Sequence, residues 1–220
     1  GGYEFSGQYM NEPVDDETAD FQRDWINRFD LMDLEKVDHQ LFITVDPALT
    51  KGDGSDYTGV VINAVTEEGK WYIVKAYRAR FNPTELIDEL FSLRRMYGMR
   101  LKGFAVEKTA HILALKPTIE MMQKKLKKNL EILDVTTMGR HKEDRIRALV
   151  PKLERGEVFF SEYCGDLIEE MLAFPRSTHD DVLDAFAYQL DIANSIGIPK
   201  RGQTREQMMR PIKPRVQNNV

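Results

Sequence analysis

Leu41-Phe42-Ile43-Thr44-Val45-Asp46-Pro47 leads five β-favouring residues into a lone carboxylate, then a proline, then the Gly-, Asp- and Ser-rich stretch 51–56. The run reads as a strand carrying an acid at its exit. Side chains alternate along a strand, so Leu41, Ile43 and Val45 share one face while Phe42, Thr44 and Asp46 share the other. Taken alone, Asp46 also suits a turn aspartate that bonds the backbone of the following loop. A functional reading therefore needs further acids brought to the same place.

Working outward, 57–65 and 71–77 read as two more strands, joined as a hairpin through Thr66-Glu67-Glu68-Gly69-Lys70. Residues 83–97 form a helix, with Pro83 in its first turn, a stripe of Leu86, Ile87, Leu90, Phe91 and Leu93, and Gly98 as its stop. Leu101-Lys102-Gly103-Phe104-Ala105-Val106-Glu107 is a strand that again ends on a carboxylate. Gly103 and Ala105 share a face with Glu107 and leave room beside it. Hairpin, helix and strand in that order place 101–107 parallel to 41–46 through a right-handed crossover. Asp46 and Glu107 then open onto the crevice at the carboxyl ends of neighbouring strands, where open α/β sheets bind ligands. An ion pair with Lys108 is the bland alternative for Glu107.

Beyond it, 117–128 reads as an amphipathic helix started by Pro117, with Lys124, Lys125, Lys127 and Lys128 around Met121, Met122 and Leu126. Those lysines suit a solvated face, with a DNA contact as the alternative. A strand at 131–136 follows. Gly139-Arg140-His141-Lys142-Glu143-Asp144-Arg145-Ile146 then opens a helix with Ile146, Leu149, Val150 and Leu153 as its stripe, and Pro151 inside it implies a kink or an early end. A short strand at 157–160 and a helix at 166–174 come next.

The third acid lies in Ser177-Thr178-His179-Asp180-Asp181-Val182-Leu183-Asp184. Ser177 or Thr178 is expected to cap a helix whose buried stripe is Val182, Leu183, Phe186, Ala187 and Leu190. The macrodipole favours acids in a first turn. Asp181 and Asp184 fall on one face, away from that stripe, and so many carboxylates repel one another unless a cation joins them.

The chain has 220 residues, a net charge of -5 and one cysteine, Cys164, which suits one domain with extensions and a reducing compartment. No apolar run is long enough to cross a bilayer and Gly1-Gly2-Tyr3-Glu4 is no basic start followed by an apolar core, so neither secretion nor a membrane role is expected. With no initiator Met, the chain is expected to be a piece of a longer protein. Between residues 12 and 38 ten acids stand against three bases, which marks 1–38 as an acidic linker, although Phe21, Trp25 and Phe29 recur at helical spacing. The stretch 197–220 carries six bases, one acid and three prolines, a composition that favours a basic tail without fixed structure. It serves either to grip DNA or a docking partner, or merely to solubilise.

Strand-end Asp46, strand-end Glu107 and a late Asp181 or Asp180 make an oxygen-only set, which suits Mg²⁺ or Mn²⁺. Two such ions about 4 Å apart and sharing a carboxylate can activate a water and stabilise the leaving oxygen of a phosphodiester. That chemistry is a nuclease's.

The order of elements around Asp46, Glu107 and Asp181 resembles the ribonuclease H-like superfamily. More narrowly, Val45-Asp46-Pro47-Ala48, Ala105-Val106-Glu107, Lys142 with Arg145-Ile146, and Phe174-Pro175 through His179-Asp180-Asp181-Val182-Leu183-Asp184-Ala185 resemble the nuclease domain of the large terminase subunit of tailed bacteriophages. Phe5-Ser6-Gly7-Gln8-Tyr9-Met10-Asn11-Glu12-Pro13 is similar to the stretch that joins ATPase to nuclease in that family. The resemblance implies an α/β fold, a ribonuclease H-like mixed sheet flanked by helices on both faces, over 39–196. It implies a metal-dependent endonuclease that cuts concatemeric viral double-stranded DNA at the start and end of genome packaging. Asp46 would bridge two Mg²⁺ or Mn²⁺ ions, Glu107 would hold one, and Asp181 or its close alternative Asp180 would complete the site. Lys142 and Arg145, with Arg140 beside them, would contact phosphate or orient the water. The implied partners are the ATPase domain of the same polypeptide, the portal protein and the small terminase subunit, in the host cytoplasm and transiently at the procapsid portal. No Gly-rich run here ends in Gly-Lys-Ser or Gly-Lys-Thr, so the chain is expected to be the nuclease half without the motor's ATPase. Two alternatives are a junction resolvase or transposase core, separable by its preference for branched DNA, and a non-catalytic module whose acids bind a structural cation.

Overall fold

The computed structural model describes residues 19–48, 57–107, 110–135 and 141–195. The loop 51–56, Gly139 and Arg140, the stretch 5–13 and the tail 197–220 lie outside them. In chain order the elements are β1 (Asn27–Arg28), α1 (Leu31–Leu34), β2 (His39–Asp46), β3 (Thr58–Thr66), β4 (Trp71–Ala79), α2 (Pro83–Tyr97), β5 (Leu101–Glu107), α3 (Ala110–Leu126), β6 (Ile132–Val135), α4 (Lys142–Arg147), α5 (Val150–Glu154), β7 (Val158–Phe160), α6 (Gly165–Ala173) and α7 (Asp181–Ser195). Seven strands form one mixed sheet in the order β1-β7-β4-β3-β2-β5-β6. β3 runs antiparallel to both its neighbours, and the remaining pairs are parallel.

The alternation read from residues 41–46 divides the core in two. Leu41, Ile43 and Val45 pack with Val60, Ile62, Phe104 and Val106 beneath α2 and α3. Phe42 packs with Val61, Trp71, Ala105 and Phe160 beneath α6 and α7, against Val182, Phe186 and Tyr188. Each large apolar side chain fully buried in these layers contributes about 2–3 kcal/mol. Helices on both faces explain why every residue of β3 is buried and why that strand shows no polar side. The α2 helix starts as its sequence dictates: Asn82 accepts from the Glu85 N–H and the Glu85 side chain accepts from the Asn82 N–H.

Three expectations are corrected. The lysine-rich helix begins at Ala110, not at Pro117, which sits inside it. Buried Ile112 and Ile119, two turns apart on one face, carry the stripe across the proline. The helix opened by Lys142 ends early, as its proline implies: α4 stops at Arg147, and Pro151 lies in the first turn of α5, which starts at Val150. Residues 19–38, read as an acidic entry segment outside the core, join the fold. Phe21 is buried in the core, and Asn27 and Arg28 pair with Phe159 and Phe160 as an edge strand, so the aromatics outweigh the acid count. Finally, α7 is not capped by Ser177 or Thr178. The N–H groups of Val182 and Leu183 each donate at 2.9 Å to Oε2 of Glu170, a buried carboxylate from α6. Ser177 instead bonds locally, its hydroxyl donating to the His179 carbonyl.

Candidate active site

Asp46 ends β2 with Gly59 of β3 as its antiparallel partner. On the other side Val45 is in register with Val106 of parallel β5, so the next rung sets Asp46 beside Glu107 on the α7 face. Gly59 has a second role. A Cβ there would lie 2.0 Å from the Asp181 carbonyl oxygen and 2.9 Å from the Val182 nitrogen, so the bare glycine lets the start of α7 settle onto β3 next to Asp46. Gln189 fixes how α7 is rotated. Its amide donates to the Thr44 hydroxyl at 3.0 Å and to the Val61 carbonyl at 3.4 Å, and its oxygen accepts from Asn63 at 3.4 Å. One position earlier, the Tyr188 hydroxyl donates to Oδ1 of Asp46 at 3.3 Å.

A cleft of about 330 Å³ opens over this point, with Asp46, Tyr57, Lys142, His179, Asp180 and Asp181 in its walls. Burial, then the negative charges of Asp184, Glu107 and Asp181, push the Asp46 carboxyl up to about 7, although Lys142 pulls the other way. Lys142 Nζ stands 2.7 Å from Asp180 and 2.5 Å from Asp184. Burial works against its charge, but the two carboxylates outweigh that and hold the ammonium above its ordinary value. Arg145 approaches Asp184 at 3.0 Å and lies 5.3 Å from the Tyr188 ring centroid.

The structure therefore brings together Asp46, Asp180, Asp181 and Lys142 around one cleft, with Glu107 on the rung beside Asp46. Arg145 departs from its expected place. Its side chain is 10% exposed and faces Asp184 and the Tyr188 ring, where it supports the site from beneath instead of meeting solvent. Asp184 departs too: it is 4% exposed, and the cations that relieve it are Lys142 and Arg145. Among the described residues, no three His, Cys, Asp or Glu side chains gather tightly enough to enclose an ion.

Three residues of the site escaped the sequence reading. Gly59 carried a signal, since a glycine inside a strand marks close approach of another backbone. Glu170 carried one as well, because it falls at i+3 in the buried stripe Leu167, Met171 and Phe174. Tyr188 carried none, as its neighbour is set by the docking of α7.

Residues 43–191 match the family described as the terminase RNaseH-like domain. No curated protein matches the chain. Among solved structures, the nuclease domain of the P22 large terminase superposes with a TM-score of 0.54 at 14% identity, covering 79% of this chain and 90% of that one. The human cytomegalovirus terminase nuclease domain, in a manganese-soaked and inhibitor-bound form, gives a TM-score of 0.53 at 14% identity, covering 77% and 90%. The large terminase of a thermophilic bacteriophage, in complex with ADP, gives 0.50 at 14% identity and covers 69% of this chain. The chain spans 39% of the length of that thermophilic phage protein. At such identities the likeness is one of fold, that of ribonuclease H-like nucleases. The family match covers Asp46, Glu107, Lys142, Asp180 and Asp181, and on it the chain belongs to the terminase RNaseH-like domain family.

Proposed function

We propose that this chain is a divalent-metal-dependent DNA endonuclease, the nuclease part of a genome-packaging motor that cuts concatemeric viral double-stranded DNA when packaging starts and when it ends. The observation that carries the reading is the state of Asp46. A carboxyl at a strand end, crowded by Glu107, Asp181 and Asp184 and raised to about 7, is a site whose charge calls for a cation.

The donor set fits Mg²⁺ or Mn²⁺ in kind, being made of oxygens alone with no cysteine among its members. Asp46 would be shared between two ions, Glu107 would hold one, and Asp181 is favoured over Asp180 because its charge is among those that press on Asp46. Bound there, the ions supply charge stabilisation to the phosphate oxygens during hydrolysis. The remaining roles belong to the chain's own residues. Tyr188 orients Asp46 through its hydroxyl, and Arg145 steadies both Tyr188 and Asp184. Lys142, half-exposed at the cleft, can turn from Asp180 to a DNA phosphate.

The partners that follow are the ATPase domain of the same polypeptide, the portal and the small terminase subunit, in the host cytoplasm. Incubation of duplex DNA with the protein and Mn²⁺, Mg²⁺ or EDTA tests the proposal. Cleavage that depends on the metal supports it, and indifference to EDTA or absence of cleavage overturns it.

A further inference from the structure

One wall of the cleft is aromatic and cationic, and no expectation from the sequence pointed to it. Tyr57 lines the cleft with Asp46 and Asp181. Over its ring lies the guanidinium of Arg80, 4.3 Å from the centroid, while that of Arg78 stands 5.5 Å away. His179 meets the same ring edge-on at 5.3 Å and 89°. Arg80 is exposed, one residue beyond the end of β4 at Ala79, on the edge of the sheet where Asp46 also emerges.

Among the described residues, three other cations near the cleft are engaged. Lys142 holds Asp180 and Asp184, Arg145 holds Asp184, and Arg78 approaches Glu170 at 3.4 Å. Arg80 has no carboxylate partner among the described residues, and its contact there is the Tyr57 ring. A guanidinium laid on an aromatic face keeps its N–H edge turned outward, where its planar fork matches a phosphate. The ring also limits the rotamers the arginine must give up on binding. Tyr57 is in turn held from behind, since Arg78 is tied to Glu170 and Glu170 receives the first N–H groups of α7.

The geometry points to Arg80, seated on Tyr57, as a phosphate subsite that takes a backbone phosphodiester of duplex DNA neighbouring the one to be cut. This inference rests on the nuclease reading and deepens it. Arg80 is then a positioning residue: it sets where along the backbone the DNA sits over Asp46, through a contact that reads no bases.

The test measures duplex binding in the Asp46→Asn background, so that DNA stays intact, across a series of salt concentrations. Arg80→Ala is expected to weaken binding by about tenfold and to reduce the slope of log affinity against log salt by about 0.9, one phosphate contact. Arg80→Lys restores the slope without the full affinity, because an ammonium neither stacks nor forks. Tyr57→Leu weakens binding and keeps the slope. Arg155→Ala is the control: Arg155 pairs with Glu157 next to β7, at the opposite end of the sheet, and its loss leaves both quantities unchanged. Slope and affinity unmoved by Arg80→Ala, with metal-dependent cleavage intact in the native protein, overturn the subsite and leave the nuclease reading standing. A native protein that cuts nothing while binding still depends on Arg80 keeps the subsite and overturns the nuclease reading. Absence of both binding and cleavage overturns both.

Discussion

Gly59 and Asp181 touch through their backbones: a methyl group on Gly59 would reach within 2.0 Å of the Asp181 carbonyl oxygen. Because Gly59 is also the ladder partner of Asp46, this contact sets the distance between the acid on β2 and the acids at the start of α7.

Gly59→Ala is therefore expected to lift α7 from the sheet, with a loss of about 3 kcal/mol or more of stability from overpacking against backbone. Cleavage should fall with it. Gly165→Ala is the matched control, since its added methyl meets nothing within 4 Å. Chemical denaturation of the two variants checks the contrast, and equal stabilities would contradict it.

Glu170 supplies what a capping side chain normally would. Burial raises its carboxyl to about 7, against the bonds from Leu183 and Val182 and the charge of Arg78 that favour ionisation. Glu170→Ala leaves two buried N–H groups without an acceptor and should cost about 2–4 kcal/mol. Glu170→Gln keeps an oxygen in place and should lose less than half as much. A glutamine variant as unstable as the alanine would show that the charge, not the acceptor, matters.

The pH dependence has a definite sign. The Asp46 carboxyl sits at about 7 in the folded chain, chiefly through burial, whereas an unfolded aspartate titrates near its ordinary value of about 3.9. The unfolded state thus loses its proton first as pH rises. The stability present at low pH declines through the interval and is gone above about 7. Without metal, Asp46 alone should lower stability by about 3 kcal/mol between about pH 5 and about pH 8. Glu170, raised to a similar value, acts in the same direction. Urea unfolding in EDTA should show this decline, and Asp46→Asn should remove about half of it. A flat profile would contradict the assignment.

Lys142 is the cation already inside the site. Lys142→Met should lower the melting temperature without metal, by about 1–2 kcal/mol of stability given that the side chain is half-exposed. The same variant should bind Mn²⁺ more tightly, because Asp180 and Asp184 lose their ammonium. Thermal melts over a Mn²⁺ series measure both effects. An unchanged Mn²⁺ dependence would separate Lys142 from the metal site.

How much could be read beforehand follows from which interactions are local. Asp46 and Glu107 were legible because an apolar run that stops on a charge is a local pattern, and their shared rung follows from the order hairpin, helix, strand. Lys142 was legible as part of a helix opening. The true placing of Arg145 was not, since Asp184 and Tyr188 come from α7, about forty residues further along. The edge strand Asn27–Arg28 was hidden for the same reason: two residues carry no period, and their partner Phe159–Phe160 is distant in sequence. Pro117 misled because a proline is favoured in a first turn, yet a helix held by Ile112 and Ile119 tolerates one inside.

The most direct measurement of the central claim is the rate of duplex cleavage in Mn²⁺ by the native protein and by Asp46→Asn, both shown to be folded and to bind DNA. If Asp46 holds the metal as proposed, its loss should lower the rate by about a thousandfold or more while binding persists, since the charge stabilisation that bound ions would supply is lost with their donor. Asp181→Asn and Glu107→Gln should follow in the same direction. Cleavage by Asp46→Asn within about twofold of the native rate would contradict the assignment of Asp46 as the centre of the site.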